Sequence, residues 1–256
     1  MGVMGDRQSF IAGMAEKQIL FAHIYDLAYK SFDASFSVYG DFLSESEQSE
    51  LILRKRFLPC DYSLFGGYED AERKMVAFTA DWDSAQFPIA AVKIIGHFSK
   101  LSHRDFLGSM MGLGIKREKC GDILISSDVC YVFTNSEIAP FIADNLLSVG
   151  REGVSCSVVP INEVQVPQRE FTQISGTVAT LRLDAILALF VKTGRANTAD
   201  LINGGRVFVN GICASKKDMH LSDGDVLSVR GTGKGILEIG QVSRKGRIFV
   251  KINKYV

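Results

Sequence analysis

The stretch Thr180-Leu-Arg-Leu-Asp-Ala-Ile-Leu-Ala-Leu-Phe190, continued by Lys192-Thr-Gly-Arg-Ala-Asn-Thr-Ala-Asp-Leu-Ile-Asn-Gly-Gly-Arg-Val-Phe-Val-Asn-Gly211, lays out one small folding unit. Leu183, Ile186, Leu187 and Phe190 recur at helical spacing, so the first segment is an amphipathic helix with one apolar face. A short loop with Gly194 and Arg195 leads to a second helix, Asn197 to Asn203, which Gly204-Gly205 ends because a helix C-terminus favours a left-handed residue. Arg206–Asn210 reads as a strand, Asn210-Gly211 as a hairpin turn, and Asp223-Gly224-Asp225 as a tight turn into the strand Val226–Val229. Gln241–Val256 reads as a further hairpin bearing Arg244, Lys245, Arg247, Lys251 and Lys254. Those cations either extend an electrostatic footprint or keep an edge strand soluble.

The formal net charge of the 256 residues is zero, but the charges are segregated. Residues 177–256 carry 13 Lys and Arg against 6 Asp and Glu, about +7, and residues 1–176 carry 16 against 23. A basic C-terminal unit on an acidic remainder suits an anionic partner at one end of the chain.

Working towards the N-terminus, 166–178 contains Pro167 and several polar residues and is expected to be a linker. From 75 to 165 strand and helix signals alternate. Met75–Ala80, Pro88–Ile95, Asp122–Ser126, Val129–Phe133 and Val154–Pro160 read as strands, and Ser102–Met111 and Ser136–Leu147 as helices. Asn135 caps the second helix, with Pro140 near its first turn, so its true start can fall a few residues later. Helices returning between strands in this order suggest a ferredoxin-like α/β sandwich, the architecture of RNA-recognition domains, although no paired aromatic motif on these strands supports base stacking there. Residues 1–74 read as helical, from the periodic set Ile19, Leu20, His23, Ile24, Leu27 and Ala28 and from a capping box, Ser44 with Glu47, opening a helix through Phe57. The expected fold class is therefore α+β. It comprises a helical N-terminal domain (1–74), a ferredoxin-like domain (75–165), a linker (166–178) and a C-terminal domain (179–256) of two helices with a short sheet.

The five cysteines are scattered and form no C-x-x-C pair, so reduced thiols in a cytoplasmic compartment and no metal site are expected. The longest apolar runs are too short for a bilayer, and the N-terminus lacks the pattern of a secretory signal.

Residues 182–225 resemble the alpha-L RNA-binding motif, the domain first seen in small-subunit ribosomal protein four. The matches are Arg182-Leu183-Asp184, Arg195, Leu201-Ile202, Gly205, Val207, Val209-Asn210-Gly211 and Gly224-Asp225. The sequence departs from the motif at Gly194 and Ala196, where it has serines, and at Thr198, where it has alanine, so the serine hydroxyl contacts are missing. The resemblance implies that Arg182, Lys192, Thr193, Arg195, Asn197, Arg206, Lys216 and Lys217 touch RNA, with the two arginines foremost. The arginine fork and the amides at the start of the second helix suit phosphate oxygens, and folded RNA is read largely by shape through phosphates and 2′-hydroxyls. Asp184 is expected to be structural and Asn210 a turn former.

Two upstream segments, Gly66-Gly-Tyr-Glu-Asp-Ala-Glu-Arg-Lys-Met75 and His103-Arg-Asp-Phe-Leu-Gly-Ser-Met-Met-Gly-Leu-Gly-Ile-Lys-Arg-Glu-Lys-Cys-Gly-Asp122, extend the likeness over nearly the whole chain to the bacterial YlmH family. That resemblance implies a non-catalytic protein that binds structured ribosomal RNA or tRNA on the large ribosomal subunit and assists quality control of stalled peptidyl-tRNA. It implies no cofactor. A monomer off the ribosome is expected separately, because no long apolar helix face is left without an intramolecular partner. In the second segment His103, Arg104, Lys116, Arg117 and Lys119 form a candidate second RNA contact beside Gly112 and Gly114. The alternative for them is a tight helix–strand connection with a solvated basic turn.

Enzymes match poorly. Leu187-Ala188-Leu189 stands where pseudouridine synthases carry T-S-G; Met110 stands where a kinase loop opened by His103-Arg104-Asp105 needs asparagine; Gly112-Leu-Gly114 follows a helix, not a strand. Two other readings stay open: an RNA-modifying enzyme with its active site in 75–165, and a cell-division adaptor.

Overall fold

The computed structural model describes residues 3–14, 16–34, 36–78, 86–167 and 171–255. The chain divides into two compact units, Met1–Pro167 and Gln168–Val256.

The first unit opens with α1 (Val3–Ile11) and α2 (Gln18–Ala34), then β1 (Val38–Leu43), α3 (Glu45–Arg54), β2 (Tyr62–Phe65) and β3 (Lys74–Phe78). The buried stripe of α2 is Phe21, Ile24, Tyr25, Ala28 and Ser31, rotated from the expected one, and Ile19 is left 87% exposed. Aromatic packing decides the rotation, because the Phe10 ring of α1 lies 5.7 Å from both Phe21 and Tyr25. The capping box of α3 forms as expected. Glu47 accepts hydrogen bonds from the Ser44 backbone N–H at 2.6 Å and hydroxyl at 2.7 Å. The helix stops at Arg54, and a single tight turn takes over Lys55–Phe57.

Residues 1–74 are not a helical domain. β1, β3 and β2 form an antiparallel sheet in that order, so β3, which was expected to open the central domain, completes the N-terminal sheet instead. Local periodicity misses this sheet because β1 pairs with β3 across residues 44–73, Val38 opposite Phe78 and Leu43 opposite Lys74. The predicted strand end at Ala80 lies outside the described residues.

The central elements are β4 (Ile89–Ile95), α4 (His103–Gly112), β5 (Cys120–Ile125), β6 (Val129–Asn135), α5 (Ala139–Asn145), the short β7 (Ser148–Val149) and β8 (Glu152–Gly153), and β9 (Ser155–Val159). α5 starts four residues after Asn135, whose side chain accepts the Glu137 N–H at 2.9 Å. The sheet runs β5-β6-β4-β9 with every pair antiparallel. With the β-α-β-β-α-β succession, that is the ferredoxin-like strand order.

The two faces of this sheet are both covered. Val92, Ile94, Cys130 and Val132 point to α4 and α5 and pack with Phe106, Met110 and Ile142. Ala91 and Phe133 point the other way, into Phe42 of β1 and Met75 of β3. Burying Phe133 completely contributes about 1.5–3 kcal/mol. The strap Gly66–Met75 closes this side. Gly67 has φ 102°, and a Cβ there would lie 2.4 Å from the Phe133 ring, so only glycine fits. Tyr68 stacks 5.3 Å from Phe133. The buried Asp122 carboxylate accepts the Tyr68 hydroxyl (2.8 Å) and the backbone N–H groups of Glu72 (2.7 Å) and Arg73 (3.0 Å).

The second unit holds β10 (Phe171–Val178), α6 (Leu183–Val191), α7 (Arg195–Asn203), β11 (Val207–Val209), β12 (Ile212–Cys213), β13 (Val226–Val229), β14 (Gly233–Val242) and β15 (Ile248–Tyr255). Its sheet has six strands in the order β10-β15-β14-β13-β11-β12. Leu183, Ile186, Leu187 and Phe190 of α6 are buried against Val207, Leu227, Leu237 and Ile252, as the helical spacing requires. The expected linker 166–178 is in large part the strand β10, paired over its whole length with β15; 168–170 lie outside the described residues. Its partner sits some seventy residues downstream, and Gly176 breaks its apolar alternation, so the sequence pattern is weak. The sheet is accordingly larger than expected, and β15 lies between two strands rather than at an edge.

All five cysteines are free thiols. Burial pushes the Cys156 thiol up to about 11 and raises that of Cys130 further. Among the described residues no helix is long and apolar enough to cross a membrane.

Candidate nucleic-acid interface

Arg182 is the N-cap of α6 in extended conformation. The segment 217–221 runs beside it through an isolated bridge, Arg182 opposite His220: Leu183 N–H donates to the Met219 carbonyl, Asp184 N–H to Lys217 and Leu221 N–H to Leu181. Three of the predicted cations, Arg182, Lys216 and Lys217, are thereby gathered at the start of α6, and both lysines are exposed. The Arg182 guanidinium donates to both oxygens of Asp184, at 3.2 and 3.1 Å. That fork holds the arginine in one orientation and raises its pKa, through the hydrogen bond first and the charge second. Asp184 is thus structural, as expected.

Lys192, Thr193 and Asn197 gather at the other end of α6. Lys192 caps the helix with φ 53°, a left-handed position usually given to glycine. The Asn197 amide donates to the Thr193 hydroxyl at 2.9 Å, bracing the turn into α7. Arg195 is the first residue of α7, and its side chain lies outside the described residues. A nine-residue helix is roughly 14 Å long, so the residues expected to make one basic surface form two clusters on α6.

Arg206 stands apart from both, at the start of β11. Its carbonyl accepts the Arg230 N–H at 2.9 Å, and the Arg230 guanidinium lies 5.1 Å over the Phe208 ring. Sequence reading missed Arg230, which belongs to no motif; only the β11–β13 pairing brings it beside Arg206. Asn210 is the turn former expected, with φ 49°. Its side chain accepts the Val226 N–H at 2.9 Å and donates to Asp225 at 2.8 Å.

In the first unit the proposed second contact splits. His103, Arg104 and Lys116 are exposed. Arg117 instead turns inward, donating to the carbonyls of Cys120 (2.8 Å) and Gly121 (3.3 Å), and Arg73 shares the Cys120 carbonyl at 2.9 Å. Burial lowers the pKa of both guanidinium groups, and Arg117 lowers that of Arg73 further. Lys119 pairs with Asp41. Although the His103 side chain reaches the surface, its partial enclosure and then the Arg117 cation hold its pKa below the usual value. Gly112 and Gly114 belong to the helix stop. Ile115 N–H donates to Met110 and Gly114 N–H to Met111, closing α4 in a Schellman cap. The tight-connection reading holds for Arg117, Lys119 and the glycines, leaving Arg104 and Lys116 as the cations turned outward.

Among the described residues no group of three or more His, Cys, Asp or Glu side chains is placed to hold a metal ion. The fold and its cations define a two-unit α+β protein with a ferredoxin-like sheet in one unit and, in the other, a helix pair flanked by cations on a sheet. Residues 83–163, which span that ferredoxin-like sheet, match a family model described as "Putative RNA-binding domain in YlmH". Over 199 residues the chain is 30% identical to "Ribosome-associated protein quality control protein P2" of Bacillus subtilis (strain 168), covering 76% of this chain and 77% of that protein. The solved structure of "Cell division protein ylmH from Streptococcus pneumoniae" shares the fold, with a TM-score of 0.51 at 21% identity over 59% of this chain and 95% of that one. The chain belongs to the YlmH family.

Proposed function

We propose that this protein is a non-catalytic, cytoplasmic RNA-binding protein. It grips structured ribosomal RNA or tRNA on the large ribosomal subunit and acts in quality control of stalled peptidyl-tRNA. The observation that carries the reading is the placing of cations and polar side chains at the two ends of α6. Arg182 with Lys216 and Lys217 stands at one end, and Lys192 with Thr193 and Asn197 at the other. The neighbouring Asp184 is spent on orienting Arg182. An arginine held in one orientation at a helix start, with exposed lysines beside it, suits phosphates held in a defined geometry, as in folded RNA. The resemblance of 182–225 to the alpha-L motif supports the reading, since it implies RNA contacts at these residues and at Arg195 and Arg206. The printed names of the family model and of the Bacillus relative point the same way. In the first unit Arg104 and Lys116 remain as a candidate second contact.

The test is sedimentation with large ribosomal subunits at two salt concentrations, comparing wild type with Arg182→Ala/Arg195→Ala. Wild type is expected to co-migrate and the double variant to stay at the top. The variant's log–log salt dependence should be flatter by about one to two units. Identical behaviour of the two proteins removes α6 as the anchor and moves attention to Arg104 and Lys116.

A further inference from the structure

Among the described residues, one face of the C-terminal sheet has no helix of its own unit packed on it. Ile174, Val178, Leu237, Val250 and Ile252 point into the core under α6 and α7, so their neighbours on β10, β14 and β15 point to the opposite side. Along β15 those neighbours are Phe249, Lys251, Asn253 and Tyr255, opposite Thr177, Ser175, Gln173 and Phe171 of β10. Phe171 is 46% and Phe249 37% exposed. Partly accessible aromatic rings thus stand at both ends of this face.

The arrangement is ordered. At one end Phe249 lies across Gly240, where a Cβ would meet the ring at 2.9 Å, so the glycine lets the ring settle against the strand. At the other end Phe171 and Tyr255 stand 5.1 Å apart, and the Lys234 ammonium sits 5.4 Å from the Tyr255 ring. Between the ends runs a row of amides: Gln173 donates to Asn253 at 3.2 Å, and Asn253 donates to Glu238. Lys251 lies beside Glu238 across the β14–β15 pairing, and Arg230 covers Phe208 on β11. From Phe249 to Tyr255 the strand rises roughly 20 Å.

We propose that this helix-free face is a second RNA surface, one that holds an unpaired strand by stacking bases on Phe249 and on the Phe171–Tyr255 pair while Lys234, Lys251 and Arg230 meet its phosphates. The proposal rests on the RNA-binding reading above and adds a substrate class to it. The α6 clusters, poor in aromatic side chains, suit folded RNA; this face suits single strands, whose bases present π-surfaces for stacking. The interleaving of rings with cations separates it from a protein-docking face, because the core of a protein interface is depleted in lysine. The amide row supplies donors and acceptors for base edges.

The experiment uses the full chain and two labelled probes: an oligouridine long enough to cross the face, and a stable RNA hairpin without unpaired overhangs. Wild type is expected to bind both by fluorescence anisotropy. Phe171→Ala/Phe249→Ala should weaken oligouridine binding about fivefold or more per ring and leave hairpin binding unchanged. Arg182→Ala/Lys192→Ala should do the reverse. Lys234→Gln/Lys251→Gln, which leaves the rings in place, should flatten the salt dependence of oligouridine binding by about one to two units. This second pair decides the matter if the ring variant loses its cooperative melting. Hairpin binding without oligouridine binding, or oligouridine binding indifferent to both variants, overturns this proposal and leaves the first reading intact. Binding of neither probe overturns both. A wild-type dimer in light scattering that the ring variant dissolves, with no effect of oligouridine, identifies the face as a protein contact and also overturns the proposal.

Discussion

The two large sheets of this protein have a helical layer on one face and differ in the other. In the ferredoxin-like sheet the second face carries Ala91 and Phe133, and it is shut by Phe42, Met75 and the Gly66–Met75 strap. In the C-terminal sheet the second face carries Phe249, Lys251, Asn253 and Tyr255, and among the described residues no helix of that unit packs on it. Architecture alone therefore says little about where a strand of RNA would lie. The face that RNA-recognition domains use for stacking is here an interior surface, and Phe171 and Phe249, rings left partly accessible on a sheet face, belong to a different sheet. The lesson is to ask of each sheet face what covers it before assigning it a ligand.

The comparison can be broken by stability measurements in urea. Phe133→Ala, in the closed face, should cost about 3–5 kcal/mol, because a fully buried aromatic leaves a cavity that its surroundings cannot fill. Asp122→Ala should cost about 2–4 kcal/mol, since the Tyr68 hydroxyl and two backbone N–H groups lose their shared acceptor inside the unit. Its effect should be matched by loss of the strap's protection in hydrogen exchange. On the C-terminal sheet, Asn210→Ala should cost about 1–2 kcal/mol, through two lost hydrogen bonds and a left-handed backbone that alanine resists. Phe249→Ala should change stability by about 1 kcal/mol or less. A loss comparable to that of Phe133→Ala would mean that the ring is packing, not a platform. Smallest of all, Arg230→Ala should cost about 0.5 kcal/mol, the value of an exposed cation over a ring.

The parts legible in the sequence were those whose causes are local. The capping box at Ser44 and Glu47, the apolar face of α6, the Asn210-Gly211 turn and the strand–helix alternation of the central unit each depend on residues within a few positions of one another. The N-terminal sheet and β10 depend on partners tens of residues away, and periodicity within a window carries no trace of them. The site divides along the same line. Motif and charge single out Arg182 and Lys192 as candidates, and that they stand at opposite ends of one helix follows from its length. That Arg117 and Lys119 turn to carbonyls and to Asp41 follows from packing that a basic run does not reveal.

By itself, then, the sequence determined an α+β chain with a basic C-terminal unit, a helix pair opening with Arg182, and a family likeness running through Gly66–Met75 and His103–Asp122. Only the tertiary structure decided which sheet face is closed and which is open, which cations turn outward, and that Arg230 stands beside Arg206. The physical reason is that helices, caps and turns are settled by neighbours along the chain. Burial of a face and the direction of a charged side chain are settled by whatever the fold brings against them.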